Sequence, residues 1–207
     1  MEILKKLAAA ITIISVCLTT ATAQNDASLQ KAFSDSYTQE YYKKYPEAIA
    51  TLGKVHSVES YETNLRLGWL NYLNKSYTQS QAYYQKAVAL KPYSIEAKLG
   101  LSKPLSAVEN WDKVLEQYEE VLKIDPQNYT AGYWSGVIYY NRKKYDAAIR
   151  NFERLVNLYP FDYDVNHMLA WSYLNSGRNN EAKLLFNKAL LIKPGDASAL
   201  AGLGKIK

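Results

Sequence analysis

The chain has 207 residues, 48% hydrophobic and 22% charged, with a formal charge of +5. These values exclude general disorder and a multi-span membrane protein, and they leave room for one ordinary domain or a short repeat array. The basic bias is mild. Lys43, Lys44, Arg142, Lys143 and Lys144 read as solvated turn residues, since a nucleic-acid binder concentrates its charge in one stripe, and nucleic acid is not an expected partner. Nineteen tyrosines are the one compositional excess.

Residues 1–23 carry the three-part pattern of a secretory leader. Lys5 and Lys6 supply the positive start, Leu7 to Leu18 an apolar run, and Ala21-Thr22-Ala23 the small residues before a cleavage point. The expectation is a mature chain that begins at Gln24 and acts outside the cytoplasm, in the periplasm or as a secreted protein. The apolar run is too short to span a bilayer comfortably. Cys17, the sole cysteine, follows Val16 where a lipoprotein leader places a small residue, so acylation is not expected. Its removal with the leader would leave no thiol chemistry and no cysteine metal site, and stability would rest on apolar packing.

Residues 24–60 read as a divergent first helical hairpin, in which Tyr45, Ala48 and Leu52 imitate Tyr145, Ala148 and Phe152 further along. From Tyr61 onward the chain repeats. Pro92, Pro126, Pro160 and Pro194 are each 34 residues apart, and each follows an amphipathic run that a proline would stop. Ala148 and Phe152 recur as Ala182 and Phe186, and Gly136 and Tyr139 as Ala170 and Tyr173. The units are 61–94, 95–128, 129–162 and 163–196, and 197–207 repeats the start of a first helix as a terminal cap. Pro104 falls inside the first helix of the unit 95–128, where its ring opposes the Gly100 carbonyl at a cost of about 3 kcal/mol unless the helix bends. Either a kink that widens a groove or a helix broken near Ser102 and restarted satisfies that constraint.

These columns resemble the tetratricopeptide repeat family. Tyr145-Asp146-Ala147-Ala148-Ile149 and Leu155-Val156-Asn157-Leu158-Tyr159-Pro160 look like the second helix and exit turn of that repeat. The family's early tryptophan is missing, with Asn64, Lys98, Gly132 and Asn166 in its place. The resemblance implies an all-α, right-handed superhelical solenoid of about five antiparallel hairpins plus the cap, in which first helices line a concave face. It also implies interaction rather than catalysis.

By that geometry, the row Trp69, Lys103, Val137 and Trp171 faces the groove. Adjacent rows hold Tyr72 with Tyr140, then Leu65, Leu99, Tyr133 and His167, then Asn141 with Asn175; the first hairpin adds Tyr37 and Tyr41. The expected partner-binding residues are therefore Tyr37, Tyr41, Trp69, Tyr72, Lys103, Tyr133, Tyr140, Asn141, His167, Trp171 and Asn175. An aromatic groove of this sort suits a peptide segment or stacks on sugar rings. The competing reading makes these aromatics ordinary core. Trp111 and Trp134 fall in columns assigned to the packing between helices.

His56 and His167 lie in different units, so no metal or other cofactor is expected. Asp164 precedes His167 by one helical turn and could orient it as a base, but no nucleophile at a strained turn and no phosphate loop accompany them. Asp162 reads as a helix-capping residue. The expected function is a non-enzymatic scaffold or adaptor of the bacterial cell envelope that holds a protein or peptide segment, within an envelope complex. The alternative is a glycan-handling factor for polysaccharide export or assembly. A hydrolase using His167 is the third reading.

Overall fold

The computed structural model describes residues 26–206, and the leader-like residues 1–23 lie outside that range. The described residues form eleven helices and no strand: α1 (26–41), α2 (Tyr45–Gly53), α3 (Tyr61–Leu73), α4 (Tyr77–Leu90), α5 (Ile95–Ala107), α6 (Trp111–Ile124), α7 (Tyr129–Asn141), α8 (Tyr145–Leu158), α9 (Tyr163–Asn175), α10 (Asn179–Ile192) and α11 (Ala197–Lys205). They fall into two compact units, which meet in sequence between Lys91 and Pro92.

The 34-residue period governs where helices start and stop. Ser60, Ser94, Asn128, Asp162 and Asp196 precede α3, α5, α7, α9 and α11, and each side chain accepts a hydrogen bond from the backbone N–H three residues on. That satisfies an amide the helix itself cannot. At the other end, Pro92, Pro126, Pro160 and Pro194 stand two residues beyond α4, α6, α8 and α10. The turn inside each hairpin carries one residue in the left-handed region: Lys43, Lys75, Glu109, Lys143 and Gly177.

In the N-terminal unit, α2 packs on α3 and α3 on α4. Ala32, Ala48, Leu52, Leu67 and Leu70 form its core. Arg66 is buried there, pairs with Glu40, and donates through Nε to the Ser36 hydroxyl at 3.2 Å. Two of the positions that lost the family's tryptophan hold asparagines tied to the preceding turn: Asn64 Nδ2 donates to the carbonyl of Ser60 at 2.7 Å, and Asn166 Nδ2 to that of Asp162 at 2.6 Å.

In the C-terminal unit the hairpins α5–α6, α7–α8 and α9–α10 each close on themselves, and α11 covers the last of them. Phe152, Leu155, Val165, Leu169, Ala182, Phe186 and Ala199 are among its buried core residues. Small residues set the spacing: a Cβ built on Gly136 would meet the Phe152 ring at 2.6 Å, and one on Gly202 would meet Phe186 at 2.2 Å. The helix α5 runs unbroken through Pro104, which is buried, so the broken-helix alternative near Ser102 is not what the chain adopts.

The tyrosine excess has a structural use. Tyr129, at the start of α7, donates its hydroxyl to the Asp162 carboxylate that caps α9, at 3.2 Å. Tyr163 repeats this with Asp196, the cap of α11. In these two hairpins the first residue is thus bonded to the residue that caps the first helix of the following unit. Burial, then the neighbouring carboxylate, raises the Tyr129 phenol and pushes the Tyr163 phenol up to about 12.

Candidate functional site

The expected binding residues fall into a set in each unit. In the N-terminal unit, Tyr37 lies 3.9 Å from the Arg66 guanidinium, and Tyr41 projects from the end of α1 at 82% exposure. The Trp69 indole donates to Glu40 at 2.7 Å, and its ring lies 5.7 Å from that of Tyr72. Here the aromatics link α1 to α3.

In the C-terminal unit, Lys103 is exposed on α5. Tyr133 stacks on Tyr129 with centroids 5.8 Å apart. His167 stacks on Tyr163, and its Nε2 receives the Trp171 indole N–H at 3.1 Å. The Ser198 hydroxyl of α11 lies 2.8 Å from the same nitrogen. The Trp171 indole N–H also reaches the Ser198 hydroxyl at 3.1 Å, so His167, Trp171 and Ser198 form one hydrogen-bonded cluster joining α9 to α11. Burial, the largest influence on it, lowers the His167 pKa. Asn175 donates from Nδ2 to the Tyr140 hydroxyl at 3.0 Å, and the Trp171 ring packs edge-on to Phe186. Of the expected C-terminal residues, Asn141 borders open space, as does Val137 of the tryptophan row.

That space is a cleft of about 610 Å³ between the end of α5, the start of α6 and one face of α7. Its walls are Trp111, Val114, Tyr118, Trp134, Val137 and Ile138, and Ser106, Asn141 and Arg142 supply its polar edge. Trp111 and Trp134, assigned to the packing between helices from sequence, are instead 41% and 49% exposed. The reason is local. Trp134 does face the preceding hairpin, but α6 and α7 leave a cleft there, so the indole forms a wall; its ring meets Tyr133 edge-on at 5.4 Å. Trp111 is the first residue of α6, and the hairpin covers it on one side only.

The opening has a readable cause. The next junction, among α7, α8 and α9, uses the same columns shifted by 34 residues. Tyr140 stands there in place of Ser106 and Trp171 in place of Val137. Tyr140 fills its junction, meeting the Tyr145 ring and accepting from Asn175, and Trp171 packs on Phe186 of α10, whereas the much smaller Ser106 and Val137 line an open cleft. The signal was in the sequence as a break in an aromatic column.

Arg142 closes one end of the cleft, pairing with Asp112 at 2.8 Å, with the Asp112 side chain 88% exposed. Lys143 and Lys144 follow it in the exposed turn to α8. Asp162 caps α9, accepting from the Val165 amide at 2.9 Å, as the sequence indicated. Among the described residues no cluster of His, Cys, Asp and Glu could hold a metal ion, and no helix is long and apolar enough to cross a membrane.

Three models of the tetratricopeptide repeat match the chain, over residues 61–94, 96–163 and 140–206. The Arabidopsis thaliana protein CTR9 homolog is 25% identical over 178 residues, which is 83% of this chain and 16% of that protein. The Caenorhabditis elegans tetratricopeptide repeat protein 21 homolog is 24% identical over 125 residues, 60% of this chain and 9% of that protein. The chain thus spans less than a fifth of the length of these curated relatives. Among solved structures, a tetratricopeptide repeat protein from Parabacteroides merdae superposes with a TM-score of 0.75 at 17% identity, over 86% of this chain and 72% of that one. MamA superposes at 0.71 with 22% identity, over 86% and 96%. YrrB, described as a tetratricopeptide repeat protein with an unusual peptide-binding site, superposes at 0.71 with 16% identity, over 88% and 95%. These likenesses show the fold, an all-α solenoid; the repeat models, which together match residues 61–94 and 96–206, establish that the chain belongs to the tetratricopeptide repeat family.

Proposed function

We propose that this protein is a non-catalytic scaffold that holds a partner protein segment, and that the cleft walled by Trp111 and Trp134 is where the segment anchors. The observation that carries the reading is the cleft itself, an apolar recess of about 610 Å³ in which two indoles stay accessible. Concave, mostly apolar recesses edged by a few polar groups are the usual form of a binding site. The fold generally serves protein–protein interaction, and Val137 and Asn141 extend the cleft into the rows of α7 that include Tyr133 and Tyr140.

Export is part of the reading: the leader-like residues 1–23 support a scaffold working in the cell envelope. N-terminal sequencing of the protein recovered from a bacterial periplasm would give Gln24 first; an intact Met1 terminus in the cytoplasm would remove this element.

A hydrolytic role for His167 has one observation in its favour, the Ser198 hydroxyl 2.8 Å from Nε2. The Trp171 N–H reaches both that nitrogen and the Ser198 hydroxyl, so the three groups serve to fasten α11 onto α9. Measurable hydrolysis lost in His167→Ala would reverse this reading.

The test is selection of a displayed random-peptide library on the purified protein, with the cleft-filled double variant Ser106→Tyr, Val137→Trp as a counter-selection. Peptides enriched by the wild type and lost with the filled cleft support the reading. A second reading, glycan handling, draws on the same two indoles, because tryptophan faces also stack on sugar rings. Oligosaccharides that quench tryptophan fluorescence where no peptide is enriched would favour it.

A further inference from the structure

From the charge at the rim of the cleft, we infer that the segment held there is acidic, with an apolar side chain flanked by one or more carboxylates. The inference rests on the scaffold reading and deepens it by naming the chemistry of the partner.

The cleft is polarised along its length. Trp111, Trp134 and Ile138 give it apolar walls, while Arg142 and Asn141 lie together at one edge. Arg142 follows the last residue of α7 and is the charged residue of that edge, and the exposed Lys143 and Lys144 come next in sequence. The single acid paired there is Asp112, which reaches the Arg142 guanidinium at 2.8 Å from an almost fully exposed position. An exposed pair of this kind contributes little to stability, because water and salt screen it. A guanidinium offers five N–H donors in a planar fork that matches a carboxylate, and the bond to Asp112 occupies part of it. Asp112 therefore stands where a partner's carboxylate can share or replace it, at little cost to the fold.

Such a ligand satisfies both parts of the cleft. Its apolar side chain is buried against the indoles, and its carboxylate is held by Arg142 beside the Asn141 amide. A basic segment would meet the like charge of Arg142 at that edge, and a neutral one would leave the guanidinium to Asp112.

The experiment reads the composition of peptides enriched from a random displayed library on the purified full chain, followed by fluorescence titration of the best of them. Enriched sequences should place Asp or Glu within a few residues of Leu, Phe or Trp. Asp112→Asn should tighten the best peptide severalfold, a gain that damage to the fold cannot produce. Arg142→Gln should weaken it roughly ten- to hundredfold, as loss of a charge-assisted hydrogen bond does. Arg142→Glu should shift the enriched set toward Lys and Arg. Enrichment of neutral or basic peptides that the filled-cleft variant abolishes would overturn the acidic assignment and leave the scaffold reading standing. Failure to enrich any peptide would overturn both. Unchanged affinity in Asp112→Asn and Arg142→Gln would also overturn the inference. So would concentration-dependent dimerisation that the selected peptides fail to compete, since the occupant would then be a second copy of the chain.

Discussion

Two junctions of the C-terminal unit use the same columns of residues and reach opposite outcomes. Among α7, α8 and α9, Tyr140 accepts from Asn175 and meets the Tyr145 ring edge-on at 5.7 Å, while Trp171 packs edge-on to Phe186 of α10. Among α5, α6 and α7, the corresponding Ser106 and Val137 are too small, and the cleft remains. A repeat scaffold fixes backbone positions by its caps and small residues, so side-chain volume in two columns is enough to decide whether a junction is core or site.

The filled junction can be broken. Replacing Tyr140→Ser and Trp171→Val together removes two rings packed against the core and should lower stability by about 2–4 kcal/mol, the range of large-to-small core substitutions for partly exposed sites. Urea denaturation of this variant should show an earlier midpoint with the slope nearly unchanged. An unaffected midpoint would mean that the rings do no packing. The opposite exchange, Ser106→Tyr with Val137→Trp, should abolish peptide binding and move the midpoint by less, since the rings enter space already present.

The N-terminal unit shows how much of this was legible. The 34-residue spacing of the prolines is the spacing of the hairpins, and the shorter interval in the first hairpin reappears in the turns: Lys43 and Lys75, both left-handed, are 32 residues apart, whereas Lys75 and Glu109 are 34 apart. Punctuation of this kind depends on one residue and its backbone, so sequence reports it directly. Exposure of Trp134 depends on what stands opposite, in another helix and another repeat. Its column was assigned to the packing between helices, but the small Ser106 and Val137 lining the same cleft leave the indole accessible. Trp69 and Trp171 are only partly exposed, and Glu40 and Ser198 supply them bonding partners from elements distant in sequence.

The filled junction should also respond to pH. His167 has its pKa lowered in the folded chain, so its contribution is present above the ordinary imidazole pKa and lost as pH falls toward the folded value. Protonation leaves both ring nitrogens as donors, with Nε2 facing the Trp171 N–H. Asp164 and Asp196 oppose the downward shift and Lys193 supports it, while burial outweighs them. Lowering pH from 7 to 5 should change Trp171 fluorescence and reduce stability, and His167→Gln should flatten both changes. A wild-type profile identical to that of the variant would refute the role of the histidine.

The smallest expected effect compares the turns inside the two hairpins. Glu109 between α5 and α6 and Lys143 between α7 and α8 adopt φ of 57° and 59°, and Gly177 between α9 and α10 adopts 83° at the equivalent place. A side chain in this region meets its own backbone at about 1 kcal/mol, which glycine avoids, although glycine also loses more freedom on folding. Glu109→Gly and Lys143→Gly should therefore each stabilise the chain by about 0.5 kcal/mol, and Gly177→Ala should destabilise it by about 1 kcal/mol. The two gains should be equal, because a turn's φ belongs to the hairpin and not to the junction beside it. A larger gain at Glu109 would mean that the open cleft already loosens the α5–α6 hairpin, and that a bound segment stabilises the hairpin it sits on.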